Sequence, residues 1–460
     1  MMFNLFENIE HSDYSTVYVN HELVNRLNEL EISYNVTNEV ESFKNLVNMS
    51  TSKEKPYHRW VRYREGYSGD LVKVLLERSN LDLEQHFIYD PMCGSGSTLL
   101  ASIESGFDTL GNDVNPYAVD VCNLKTTHLT EDVFHAIDKF IKYSQIDKIK
   151  DKTKSKNISH NLLQIKKYFQ ELNFEQFVLI DNTIKTVRND KARQLLRTIL
   201  LTILEEVSDR KKDGNGLAKQ TSKVNNVWQH FVLQTEKILS DVKRYPLPSK
   251  PKKNISCASA ISASEIITQF SKDTGKKLGA IIFSPPYANS FDYFESYKLE
   301  LLYGYYTQHE FIKARETAVR NYRKGYGYQL DTDLELVEML CTEVRIKIPI
   351  KEKKTGRKDN RSRLVPNLLI GYFEDMRKIL KGFSDAAPSG SYCHIVVDQS
   401  SYLGVIIPTD IVLAYIGQMH GYEVQKIIRC RNARTSPQQM KSYPYLKYML
   451  RESIVTLKKS

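Results

Sequence analysis

The chain has 460 residues, 41% of them hydrophobic and 26% charged, a balance that excludes wholesale disorder and leaves room for two or three folded units. Lysine and arginine outnumber the acids 65 to 55, and a pI of about 9.0 favours a polyanionic partner over an acidic small molecule, although an ordinary lysine-rich surface gives the same balance. Cysteines 93, 122, 257, 341, 393 and 430 show no CxxC or Cys/His spacing, and neither a secretory leader nor a membrane-length apolar run is evident. The expectation is therefore a cytoplasmic protein with no metal site and no disulfide framework, nucleoid-associated if its host is a prokaryote.

Residues 1–56 read as a polar N-terminal arm with a helix near 24–30. From 57 the pattern changes: Leu71, Val74 and Leu75 have helical spacing, with Ser68 or Asp70 placed to cap the helix. HFIYDPMCGSGSTLL then reads as a strand over 87–89, a glycine turn and a helix from Ser97. DTLGNDVNPYAVDV repeats that order, with a strand ending near Asn112 and a helix from Tyr117. Two successive strand-turn-helix units predict a parallel α/β sheet, and 57–124 form its first part.

Residues 125–250 predict a helical insertion that includes a lysine-rich stretch near 147–157, a glycine-bearing loop in KKDGNGLAKQ and a proline-lysine linker at its end. The sheet resumes over 251–304, where KLGAIIF is a buried strand stopped by a double proline. A second insertion, 305–365, holds RNYRKGYGYQL and the basic run KEKKTGRKDNRSR. Residues 366–460 return to the sheet, with a helix near 368–380, the strand SYCHIVVD, the helix IVLAYIGQMHG and a closing pair of strands.

DPMCGSGS lies between a strand and a helix, where an open α/β sheet takes its ligand. Gly94 and Gly96 admit backbone angles and close approaches that larger residues forbid, beside helix N-terminal N–H groups. Asp90, Pro91 and Cys93 complete the turn, and Asp113 one strand over can accept both hydroxyls of a ribose. These residues describe an adenosyl-ligand site; a GSG turn followed by an acid also occurs in dinucleotide binders, and no Walker lysine follows the glycines.

Ser284, Pro285, Pro286 and Tyr287 end a buried strand. Two prolines stiffen the loop, so the Ser284 side chain and Pro285 carbonyl form a rigid pair of acceptors for the hydrogens of a base amine, with Tyr287 expected to stack on the base. An amine inside a duplex is out of reach, so the base has to be flipped. An isolated double proline is otherwise a plain strand-terminating turn.

At these residues the chain resembles the amino-methyltransferases of DNA, whose first motif looks like DPxxGSGT and whose fourth looks like (S/D/N)PP(Y/F/W). DPMCGSGS and SPPY stand in that order, and the segments SPPYANSFDYFESYKLELL and RNARTSPQQMKSYPYLKYMLRESIVTLKK are similar to the SPPY branch of the family. The resemblance covers 57–125, 278–303 and 366–460. It implies a Rossmann-like methyltransferase sheet, S-adenosyl-L-methionine as cofactor, and duplex DNA as partner. Serine at 284 is similar to the cytosine-N4 members, whereas adenine-N6 members more often carry aspartate there. The helix after RWVRYREGYSGD takes the place of the cofactor-carboxylate motif, which brings in Tyr63, Arg64 and Ser68; the family's third motif is not evident in NISCASAISASEII.

The expected function is thus site-specific methylation of cytosine N4, linked to restriction-modification or defence, with a cognate restriction endonuclease as a candidate partner. An adenine-N6 enzyme, an RNA base-amine enzyme and a noncatalytic nucleic-acid-binding subunit remain open at this point. DNA contact is expected from Arg320, Tyr322, Arg323 and Lys324, where cations alternate with rings, and from Arg431 and Arg434. The charge run at 351–363 reads equally well as a solvated loop.

Overall fold

The computed structural model describes residues 14–63, 66–144, 158–213, 216–289, 291–316, 318–320, 332–433 and 435–460. Its strands, in chain order, are β1 (Val36–Asn38), β2 (His86–Asp90), β3 (Asp108–Asp113), β4 (Arg210–Asp213), β5 (Gly216–Lys219), β6 (Lys253–Cys257), β7 (Lys277–Phe283), β8 (Tyr392–Asp398), β9 (Ser400–Tyr402), β10 (Val405–Ile407), β11 (Tyr422–Asn432) and β12 (Arg451–Lys459). Eight of them form one sheet in the order β1-β11-β12-β8-β7-β2-β3-β6. All its described pairings are parallel except those of β12, which runs antiparallel to both neighbours. The fold is a mixed, mostly parallel, Rossmann-like α/β sheet.

Strand burial follows from the pleat, because alternate side chains go to opposite faces. Phe87 and Tyr89 of β2 join Leu278 and Ile281 of β7 in one core with the helices Ala263–Thr274, Val365–Ala386 and Thr409–Met419. Ile88, Ala280 and Ile282 point the other way and pack with Leu71, Val72 and Leu75 of the helix Gly69–Ser79. With both faces covered, the central strands are continuous apolar runs, which is why KLGAIIF reads so clearly.

The chain leaves β2 for β3 and β6 on one side and returns to β7 on the other, so β2 and β7 flank the topological switch point. Their register pairs Tyr89 with Ile281, so the turn after Asp90 and the loop after Phe283 emerge side by side. The two sequence motifs therefore meet because of strand order.

Helices fill most of the described part of 125–250, but the expected glycine-bearing loop is flanked by the antiparallel hairpin of β4 and β5. Lys212 of this hairpin is buried, pairs with Glu300 at 2.6 Å, and lies 4.3 Å over the Tyr297 ring. The lysine-rich stretch before it lies outside the described residues. In the second insertion, the helix Glu335–Thr355 places Leu336, Leu340 and Val344 in the same core as the sheet. The basic run is partly neutralised within itself: Lys351 pairs with Asp359 and Arg363 with Glu352, each at 2.6 Å.

The N-terminal arm is tied to the sheet by charge as well as packing. Arg451 of β12, 2% exposed, binds Glu31 of the helix His21–Ser33 at 2.6 Å and Asp410 at 2.7 Å. No described helix is long and apolar enough to cross a membrane, and no metal-binding cluster occurs among the described residues.

Candidate active site

The turn after β2 is shaped by its two glycines. Gly94 has φ +48° and Gly96 φ +80°, a region that side chains with a Cβ rarely adopt. Space demands glycine too: a Cβ on Gly94 would sit 3.1 Å from the Tyr63 ring, and one on Gly96 2.9 Å from Cys122 Sγ. Gly96 then serves as the N-cap of the helix Ser97–Glu104.

Asp113 at the end of β3 is held by backbone donors. Its Oδ2 accepts from the Gly94 amide at 2.9 Å and its Oδ1 from the Asn115 amide at 2.8 Å. Burial nevertheless raises its carboxyl above the usual range, so additional donors from a ligand would be well received. Asp90 is buried beneath the turn, accepting from the Met92 amide at 3.1 Å, and burial raises its carboxyl to about 7.

A cavity of about 370 Å³ opens at the switch point. Tyr63, Pro91, Met92, Gly94 and Asp113 form one part of its wall, and Ser284, Pro285 and Pro286 form another. The structure thus brings together most of the residues expected at the two loops. Tyr63 stacks on Tyr297, ring centroids 4.9 Å apart, and that ring carries Lys212; the helical insertion braces this wall.

Several expected residues are placed elsewhere. Tyr287 is only 9% exposed, does not line the cavity, and donates to Glu452 Oε1 at 3.1 Å, so its ring is not presented to a base there. Ser68 is fully buried as the N-cap of Gly69–Ser79 and is bonded to Ser52 and Thr51, a helix-capping position away from the cavity lining. Cys93 is packed against Cys122, with the sulfurs 3.5 Å apart, and Gly96 and Asp90 support the turn from outside the lining.

The basic candidates are engaged as well. Arg320 is on the cavity wall but forms a paired hydrogen bond to Asp375 at 2.7 and 2.9 Å. Arg431 pairs with Glu452. Arg64, Tyr322, Arg323, Lys324 and Arg434 lie outside the described residues.

Other lining residues were not singled out from the sequence. Ser259 and Ala260, just after β6, line the cavity although their segment matches no third motif. Asp292, Tyr293, Arg315, Glu316 and Val319 close the remaining side, with Arg315 paired to Asp292. Tyr293 meets Phe291 edge-on at 4.7 Å. The only sequence signal for these residues was their closeness to SPPY in FDYFESY.

The chain is similar to enzymes called type II methyltransferases. It is 26% identical over 435 residues, 86% of each chain, to the type II methyltransferase M.AvaI of Nostoc sp. and to that of Anabaena variabilis. Identity is 25% over 468 residues, 92% of this chain and 90% of the relative, with the type II methyltransferase M.BsoBI of Geobacillus stearothermophilus. No family model matches. Among solved structures, the rRNA methyltransferase aviRa from Streptomyces viridochromogenes aligns over 85% of both chains at 8% identity, with a TM-score of 0.27, too low to carry any argument.

Proposed function

We propose that this protein transfers a methyl group from S-adenosyl-L-methionine to N4 of a cytosine flipped out of double-stranded DNA. The observation that carries the reading is a single cavity walled by both Gly94 with Asp113 and Ser284 with Pro285 and Pro286. The type II methyltransferase relatives support methyl transfer to DNA as the modification half of a restriction-modification pair. Serine in the first position of SPPY favours cytosine N4 over adenine N6, by the resemblance described above.

The residues fit an adenosyl group. Gly94 leaves bare backbone beside the cavity, where a Cβ would press on Tyr63, and the Asp113 carboxylate can accept a ribose diol. Bound S-adenosyl-L-methionine supplies an electrophilic methyl group. Ser284 and the Pro285 carbonyl accept hydrogens from the target amine, orienting it and concentrating its lone pair on the side of the methyl donor. Flipping the nucleotide costs a few kcal/mol, about what one stacking contact and two acceptors return. Tyr293, on the cavity wall and braced by Phe291, supplies a ring for stacking in place of Tyr287. Phosphate contact is assigned to the basic stretch that begins at Arg320.

The test is transfer of labelled methyl groups to duplex DNA, followed by digestion and identification of the modified nucleoside by mass. N4-methyldeoxycytidine is the expected product. N6-methyldeoxyadenosine would move the target to adenine, transfer only to RNA would change the substrate class, and DNA binding without cofactor binding would leave a noncatalytic subunit.

A further inference from the structure

We infer that Tyr287 is a positioning residue that sets the direction of the Ser284 hydroxyl proton, through a relay from Ser284 to Tyr287 to Glu452. The inference rests on the function proposed above and assigns a role to the one SPPY side chain that the cavity does not use.

The argument starts at the far end of the relay. Glu452 is 1% exposed on β12 and paired with Arg431, and a carboxylate held by a guanidinium accepts hydrogen bonds but does not donate them. The Tyr287 hydroxyl, 3.1 Å from Glu452 Oε1, must therefore spend its single proton on Glu452. The same hydroxyl is hydrogen-bonded to the Ser284 side chain. With its proton committed, the Tyr287 oxygen can only accept from Ser284, so Ser284 donates inward.

The consequence falls on the cavity. Ser284 borders it, and a serine oxygen whose proton points inward offers lone pairs in other directions. A target amine needs an acceptor there; a serine free to rotate would spend part of its time presenting a proton. The relay removes that wrong orientation in advance, as a catalytic acceptor requires. Burial of Tyr287 is part of the device, because water at its hydroxyl would supply a competing donor.

The test is steady-state kinetics on duplex DNA with labelled S-adenosyl-L-methionine, comparing Tyr287→Phe, Ser284→Ala and the double variant. Tyr287→Phe keeps the ring and removes the hydroxyl. Expected is a fall in kcat of about 10- to 100-fold, with KM for DNA and cofactor affinity within about threefold of wild type. In the Ser284→Ala background the same change should cost less than about threefold, since the relay has lost its object. Should Tyr287→Phe fold poorly by thermal melting, Glu452→Gln takes its place in the same cycle. A Tyr287→Phe enzyme with wild-type kcat, or equal losses in both backgrounds, overturns the relay while leaving the methyltransferase reading intact. A wild-type protein that transfers no methyl group removes that reading first.

Discussion

The Gly94 amide donates to Asp113 Oδ2 at 2.9 Å, joining the turn after β2 to the end of β3. One carboxylate thus holds the glycine turn and borders the cavity. Asp113→Asn keeps one acceptor and replaces the other with a donor that opposes a backbone N–H. Cofactor affinity measured by calorimetry should fall by about 10- to 100-fold and stability by about 1–3 kcal/mol. Unchanged affinity would remove Asp113 from the cofactor site.

Gly96→Ala should destabilise the protein by about 1–3 kcal/mol, from the left-handed backbone and from the methyl group placed 2.9 Å from Cys122 Sγ. Adding Cys122→Ala should relieve the contact and leave the backbone cost. Denaturant titration of the double variant separates the two: no recovery would mean that the steric contact is unimportant.

Asp90 gives the protein a pH-dependent stability term of known sign. Its carboxyl is raised from 3.8 to about 7 by burial, so the folded state holds a proton that the unfolded chain releases. The contribution is fully favourable below about pH 3.8 and is lost as pH rises toward 7, worth at most about 4 kcal/mol. The buried histidines His58 and His394, both lowered to about 3, act in the opposite sense below pH 6.5. Comparing Asp90→Asn with wild type isolates the Asp90 term: the variant should gain relative stability between pH 4 and 7, and a flat difference would contradict the assignment.

Arg451→Met should cost about 3–5 kcal/mol in urea unfolding, because it leaves the buried carboxylates of Glu31 and Asp410 without their shared cation. Replacing all three by apolar residues should restore much of the loss. If the single variant is as stable as wild type, the N-terminal helix is held by packing alone.

Sequence reading reached the parts of this fold that are local. The strand, turn and helix around DPMCGSGS, the strand before SPPY and the helix capped by Ser68 each have their signals within a few residues. Strand order gives no such signal: that β12 lies between β8 and β11, and that β1 docks beside β11, depends on pairings between distant segments. The same distance explains Tyr287. Its partner Glu452 is 165 positions away, so nothing near SPPY distinguishes a tyrosine facing a base from one turned into the sheet. Arg320 and Arg431 looked like phosphate ligands because Asp375 and Glu452 are remote in sequence and adjacent in space.

The position of β12 also bears on how the protein is made. A ribosome delivers Arg451–Lys459 after both of the strands it must slip between, β8 and β11, so the nascent sheet carries an unfilled slot until that segment emerges. During that interval two strand edges are exposed and open to pairing with other chains, and chaperone protection would matter most then.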